Sequence, residues 1–319
     1  MKKAILPAMI AALLATSAQA ATVYDADGTT ADVYGRMQFD IRDNGTGATD
    51  GVGSARMGFK AASFINSDVN AIAKGEWQIA AENSDNDKFS ARHLYAGFDS
   101  AKMGTLIFGQ TDTAFYQAVA ATDIYNSFGY GAFNHVEDGR QEGQIIYAGD
   151  FAGVYVGASY QFKDENFTGS DAMGNATAMP LDDSYALTLG YNIADVAFYG
   201  GYHLQQFATA EDKENYALSA SYALNDLYLA AVFAGSKQDN AADYQGYDLV
   251  ASYYLADATK VYGGYTFQEN TDTNTDTVDE VTLGAQYAFN NQLKTWIEYQ
   301  ADMISGNADE VRVALQYNF

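Results

Sequence analysis

Apolar residues in this chain recur at every second position, segment after segment, and that period limits the fold more than any other feature. In the first clear segment Val33, Gly35, Met37, Phe39 and Ile41 fall on one face, and Tyr34, Arg36, Gln38, Asp40 and Arg42 on the other. The last segment repeats the pattern, with Val311, Val313, Leu315, Tyr317 and Phe319 set against Arg312, Ala314, Gln316 and Asn318. A period of two belongs to strands with one dry and one wet face. Segments near 54–66, 69–83, 88–99, 103–110, 140–149, 152–162, 183–193, 194–206, 214–225, 226–238, 243–255, 258–269, 277–289 and 291–302 carry it in between, so about sixteen strands are expected. A sheet closed on itself pairs all of them and leaves no edge.

The connections alternate in length. Short turns fall at Asn66-Ser67-Asp68, Asp99-Ser100-Ala101, Gly149-Asp150, Asn192-Ile193-Ala194, Asn225-Asp226, Ala256-Asp257 and Asn290-Asn291. Longer polar stretches such as Asn44 to Gly53, Asp164 to Asp182 and Asn270 to Asp276 separate them. Short turns on one side and long loops on the other describe a transmembrane antiparallel β-barrel of the outer membrane, with both chain ends on the periplasmic side. A mean hydropathy of -0.22 fits this reading, because lipid-facing residues are spread one in two along strands.

The N-terminus has a different character. Lys2 and Lys3 precede an apolar run from Ala4 to Ala15 and small residues ending in Ala18-Gln19-Ala20, the layout of a cleavable export signal. The run is too short for a membrane-spanning helix, which needs roughly 20 apolar residues. The expected division is a signal peptide over 1–20 and a barrel over 21–319. Without Lys2 and Lys3 the chain keeps 15 of its 17 basic residues against 41 acidic ones, a charge of -26, which excludes nucleic acid as a partner. Tyr (25), Phe (18) and Gly (29) are abundant while Cys (0) is absent, so strands and tight turns are favoured and disulfides cannot supply stability.

One connection is out of scale. Thr111 to Gly139 holds Phe115, Tyr116, Ile124, Tyr125, Phe128, Tyr130 and Phe133, and a loop this aromatic needs a surface to pack on. We expect it, as the third outer loop, to fold inward against the barrel wall and narrow the pore.

Strand one carries Asp32-Val33-Tyr34-Gly35-Arg36, strand two Ala55-Arg56-Met57-Gly58-Phe59-Lys60, and the first turn Ile65-Asn66-Ser67-Asp68. Gly75-Glu76-Trp77-Gln78, Arg92-His93-Leu94-Tyr95-Ala96-Gly97-Phe98, Gly104 to Gly109 and the terminal Tyr317-Asn318-Phe319 follow. In these pieces the chain resembles the general diffusion porins of enterobacteria and vibrios over essentially all of its length after residue 20. The resemblance implies a homotrimer of sixteen-stranded barrels in outer-membrane lipid and lipopolysaccharide. It also implies delivery to the barrel assembly machinery through the last strand ending at Phe319, and passage of ions and small hydrophilic solutes. It places a basic ladder on Arg36, Arg56, Arg92 and Arg140, facing a loop carboxylate at Asp123. Gln110 stands where the family usually has arginine, Ser127 where its Pro-Glu-Phe-Gly motif has glutamate, and Asn126 at that motif's proline, so the constriction loses one charge of each sign. Asp112, Glu137 and Asp138 are further acids near the loop ends.

An enzyme would need a nucleophile beside a base, and His93, His135 and His203 sit in no such motif; no catalytic residue, cofactor or metal is expected. His93 alternates with Phe89, Ala91 and Tyr95, which assigns it to the lipid side or a subunit contact, and Trp77 and Trp296 read as interfacial belt residues. The Asp-rich stretch from Asn270 to Glu280 has hard oxygen ligands but no ordered calcium-loop spacing and reads as solvated loop. A sugar-specific channel and a non-conducting adhesin or receptor barrel remain the alternatives. Modest cation preference follows from the acidic surface, which acts over a Debye length of about 8 Å. Mass spectrometry of the exported protein should find Ala21 at its N-terminus; retention of Met1 would refute the division at residue 20.

Overall fold

The computed structural model describes residues 20–45, 47, 49–80, 89–129, 131–133, 136, 139–170 and 176–319. Its strands are β1 (Ala21–Ala26), β2 (Thr29–Asp43), β3 (Thr49–Asn66), β4 (Val69–Ala80), β5 (Phe89–Ser100), β6 (Gly104–Asp112), β7 (Arg140–Phe151), β8 (Val154–Gln161), β9 (Thr168–Ser170) and β10 (Ala176–Ala178). They continue with β11 (Leu181–Ile193), β12 (Val196–Phe207), β13 (Lys213–Leu224), β14 (Leu227–Gln238), β15 (Tyr244–Ala256), β16 (Thr259–Asn270), β17 (Thr275–Ala288), β18 (Leu293–Asp302) and β19 (Glu310–Asn318). The only α-helix among the described residues is α1 (Tyr116–Val119), followed by 3₁₀ turns at Ala120–Thr122 and Gly131–Phe133.

Strands β2 to β8 and β11 to β19 pair antiparallel in chain order. β8 joins β11 and β19 joins β2, which closes sixteen strands into a ring. Alternation along each strand sets its two faces. On β2, Met37, Phe39 and Ile41 are 63%, 52% and 47% exposed while Asp40 is 1% exposed. Leu218, Phe233 and Leu249 are exposed in the same way, and Thr188, Asn215, Asp248, Gln268 and Glu298 are buried. Apolar outside and polar inside inverts a water-soluble protein and suits a barrel held in hydrocarbon.

The seam brings the chain ends together. Gly35 N–H donates to Phe319 O at 2.9 Å and Phe319 N–H to Gly35 O at 3.0 Å. A Cβ on residue 35 would lie 2.5 Å from the Phe319 ring and 2.6 Å from Arg56 O, so only glycine lets the ring lie across the seam. Strand β1 was not expected. It turns back on β2 through Asp27 and Gly28, whose φ of 54° and 73° suit a two-residue hairpin, and pairs Ala21 with Val33 where β19 leaves off. All six of its residues are exposed, so no buried face imprinted a pattern on its sequence.

The expected turn at Gly149-Asp150 is corrected: β7 runs on to Phe151, and the positive φ angles fall on Ala152 (57°) and Gly153 (90°). Asp150 instead accepts the Gly153 N–H at 3.1 Å and braces that turn from within the strand. The stretch from Asp164 to Asp182 holds the hairpin β9–β10, also missed.

The long connection packs on the face opposite the apolar belt. Phe115, Ala118, Val119, Ala121, Ala132 and Phe133 bury themselves against Ala186, Ala217, Ala230, Val232, Ala234 and Val250 of β11 and β13–β15. Small wall residues leave it room, and at Gly201 a Cβ would come 2.7 Å from that of Ala118. Of its residues named above, Tyr130, His135, Glu137 and Asp138 lie outside the described residues, as do 1–19 of the expected signal peptide. Gly35→Val should destabilise the barrel by at least about 2 kcal/mol through overpacking at the seam. The temperature at which the compact band on unboiled gels is lost would measure it; an unchanged midpoint would show the seam to be loose.

Candidate functional site

Strand register places the four predicted arginines on the polar face. Arg36 and Arg56 sit directly opposite each other on β2 and β3, and Arg92 and Arg140 come within electrostatic range of Arg56. Like charges paired across strands are destabilising, so fold stability does not account for the arrangement. Arg56 Nε donates to Gln78 Oε1 at 2.6 Å, and Arg36 Nη1 to Gln316 Oε1 at 3.4 Å. Arg92 Nε donates to Glu76 Oε1 at 2.8 Å, Glu76 also accepts Tyr34 OH at 2.9 Å, and Arg140 Nη1 meets Asp112 Oδ1 at 3.4 Å.

Arg92 owes its direction to a bulge. Pairing passes from Glu76–His93 to Trp77–Ala91, leaving Arg92 as the extra residue, and a bulge re-aims side chains. The placement of His93 on the lipid side is therefore corrected. Its ring nitrogen Nδ1 lies 2.8 Å from Thr111 Oγ1 and its Nε2 lies 4.0 Å from Glu76, on the polar face. Gln110 Nε2 donates to Ala91 O at 2.9 Å, satisfying a carbonyl beside the bulge where the resemblance would place a charge.

The loop's tip is held by residues that sequence reading missed. Glu298, fully buried, accepts the N–H groups of Asn126 (2.7 Å), Ser127 (2.9 Å) and Phe128 (3.1 Å) and the hydroxyl of Tyr262 (2.7 Å). Trp296 is only 2% exposed and donates Nε1–H to Ser127 Oγ at 2.7 Å, so its assignment to an interfacial belt is corrected; odd-numbered Ile297 takes the outer face. Trp77 does face outward, against exposed Phe59. Arg312 Nη1 donates to Ser127 O at 2.6 Å with its guanidinium 4.2 Å above the Phe128 ring, and Ser127 Oγ donates to Asp40 at 3.3 Å. Ser127 thus anchors the loop where the family's glutamate would add charge.

Asp123 ends the 3₁₀ turn, and its Oδ2 accepts Tyr116 OH at 3.0 Å. Enclosure by surrounding protein raises its carboxyl above the ordinary range, the Tyr116 hydrogen bond lowers it, the nearby Asp112 raises it, and Arg140 and Arg56 lower it. Burial pushes the Tyr125 phenol up as well, with Asp248 and Glu298 adding to the effect. Asp123 thus lies within electrostatic range of the guanidiniums of Arg140 and Arg56.

The chain is similar to outer membrane porin F of Xenorhabdus nematophila, 29% identical over 227 residues, covering 67% of this chain and 61% of that one. It is 31% identical to the major outer membrane protein of Pasteurella multocida over 52% of this chain and 50% of that one. It spans about half to three fifths of the length of the curated relatives it matches. Among solved structures, Salmonella typhi OmpF in complex with daunomycin superposes with a TM-score of 0.82 at 20% identity, covering 94% of this chain and all of that one. A loop-deleted OmpT of Vibrio cholerae gives 0.75 at 19% identity, covering 92% and 100%. Residues 8–307 match the Gram-negative porin family, and with a closed barrel that is apolar outside and charged within, the chain belongs to that family of outer-membrane proteins.

Proposed function

We propose that this barrel is a passive diffusion channel for ions and small hydrophilic solutes across the outer membrane, narrowed by segment 111–139 folded into its lumen. One observation carries the reading: a single loop touches strands on most sides of the ring. Ala114 bonds to Ser159 and Thr188, Ala121 to Tyr228, Ala132 to Gln268, and the tip to Glu298, Arg312 and Asp40. A segment can reach so many walls only from within. A sixteen-stranded ring is wide enough to hold water, so no binding step or energy source is required.

In this reading Arg36, Arg56, Arg92 and Arg140 line one side of the constriction and Asp123 the other, with Asp112, Gln110 and Ser127 at its margins. The barrel acts as a homotrimer in lipid and lipopolysaccharide, assembled through the strand that ends at Phe319; one solved OmpT relative is described as a trimer form. The acidic outer surface gives a modest cation preference that the arginines oppose.

Purified protein in a planar bilayer should give large ohmic steps closing in threes, with weak cation preference in a salt gradient. A folded barrel without conductance would leave the adhesin or receptor reading in front, and block by micromolar sugar would favour a sugar-specific channel. Asp123→Asn should move the permeability ratio toward anions by roughly twofold, about 0.4 kcal/mol. Because its carboxyl sits above the ordinary range, lowering the pH neutralises Asp123 ahead of solvated carboxylates. Selectivity should therefore drift toward anions as pH falls, and Asp123→Asn should reduce that drift.

Glu298→Ala would strand three loop N–H groups and the Tyr262 hydroxyl, costing about 3 kcal/mol locally. Amide exchange at Asn126 to Phe128 should quicken and the open current become noisier, with Glu298→Gln intermediate. Unchanged exchange would show that the tip is held elsewhere.

A further inference from the structure

Half of the basic residues on the inner wall have a carboxylate partner. Lys60 meets Asp32 at 3.3 Å, Arg92 meets Glu76 at 2.8 Å, Arg140 meets Asp112 at 3.4 Å and Arg312 meets Glu310 at 2.7 Å. A second group on the short-turn side of the loop tip differs. Lys294 Nζ donates to the neutral Asn126 Oδ1 at 2.7 Å and lies 5.0 Å from the centre of the Trp296 ring. Lys260 Nζ lies 4.6 Å above the Tyr262 ring. Arg36 donates to the neutral Gln316. Lys260 and Arg36 both lie within electrostatic range of Lys294, and each repels it.

The carboxylates nearby are committed elsewhere. Glu298 is fully buried and surrounded by the loop N–H groups and the Tyr262 hydroxyl. Glu76 and Asp40 lie within range of Arg36, but Glu76 is held by Arg92 and Tyr34, and Asp40 by Gln38 and Ser127. Between the cations the inward positions carry amides: Lys260 pairs across to Gln286, Lys294 to Gln316, Gln316 to Gln38, and Arg36 to Asn318. Arg36, Lys260 and Lys294 stand on β2, β16 and β18, alternate strands of a concave wall. Strands about 4.8 Å apart spread the three backbones over roughly 19 Å.

Three half-buried cations, none in ion-pair contact with the carboxylates within range (Glu298 for Lys260 and Lys294, Glu76 and Asp40 for Arg36), cost stability in desolvation. A wall built for packing alone would pair them or make them neutral. We propose that Arg36, Lys260 and Lys294, with the intervening amides, form a lumenal subsite for multiply charged oxyanions of the phosphate class. The spread of the three cations suits a solute with charge on more than one group better than a single small anion. This inference rests on the reading of the barrel as a water-filled channel, and it adds an affinity that the outer surface charge would not confer.

Inorganic pyrophosphate is the probe. Added to purified protein conducting potassium chloride, it should reduce the current in a saturable way, and titration calorimetry of the detergent-solubilised protein should show the same site without any need for conductance. Lys260→Gln removes a charge without touching the loop and should weaken both signals about tenfold, with the potassium chloride conductance kept within twofold; Lys260→Arg should restore them. Lys260→Gln/Lys294→Gln should abolish them. A barrel that conducts but neither binds pyrophosphate nor is blocked by it overturns the subsite alone. So does pyrophosphate binding that is unchanged in Lys260→Gln. Loss of conductance with calorimetric binding intact would overturn the channel reading and leave the subsite standing.

Discussion

Hydrocarbon offers no hydrogen bonds, so a strand edge left open in a membrane costs several kcal/mol for each unsatisfied group, and everything else in this molecule depends on avoiding that cost. Closure rests on β19 meeting β2, where Gly35 and Phe319 exchange both backbone bonds. The glycine lets the terminal ring lie flat across the seam, and the hairpin strand β1 extends the same edge of β2 beyond the point where β19 ends. Once the ring is closed, the only freedom left to the sequence is what each strand presents inward and outward.

The inward face is divided into two parts. Along β11 to β15 it carries Ala186, Gly201, Ala217, Ala230, Val232, Ala234 and Val250, small residues that accept the aromatic loop. Along β2 to β7 and β16 to β19 it carries the arginines and lysines. The loop buries Phe115 and Phe133 on the first part, and its tip is fixed by Glu298, Trp296 and Arg312 on the second. Packing therefore holds the loop's body while charge-assisted hydrogen bonds set the position of its tip. The tip has the stricter geometry, because it hangs on directional hydrogen bonds to Glu298, Trp296 and Arg312.

The barrel itself was legible in the sequence, since a period of two is a local signal and one buried face enforces it in every strand. Arg36, Arg56, Arg92 and Arg140 were legible as a set only through the family resemblance, although alternation alone already turned Arg36 to the polar face. Alternation alone fails at Arg92 and His93, where the bulge inserts one residue and reverses the parity on which the lipid-side assignment of His93 depended. Trp296 was misassigned because tryptophan suits both an interface and a buried hydrogen bond, and its partner Ser127 lies 169 positions away. Glu298 gave no signal at all, because its ligands are backbone N–H groups, which every residue but proline possesses. Strand β1 lacked a buried face and so lacked a pattern.

Charges at the mouths and charges on the lumen wall act over different ranges. The net charge of -26 after residue 20 acts at the mouths and fades within about 8 Å of solution at physiological ionic strength. Within the barrel, low-dielectric walls confine the field, so a charge on the wall acts on a passing solute more strongly than an equal charge at the mouth. In the proposed channel small cations would be enriched at the entrance, while Arg36, Lys260 and Lys294 would favour anions along their part of the wall. For a multivalent oxyanion the entrance penalty would rise in proportion to its charge but be weakened by salt, whereas the proposed contact with Arg36, Lys260 and Lys294 would rise with charge in a setting that salt screens less. Ionic strength would then decide which solutes gain most from the proposed channel.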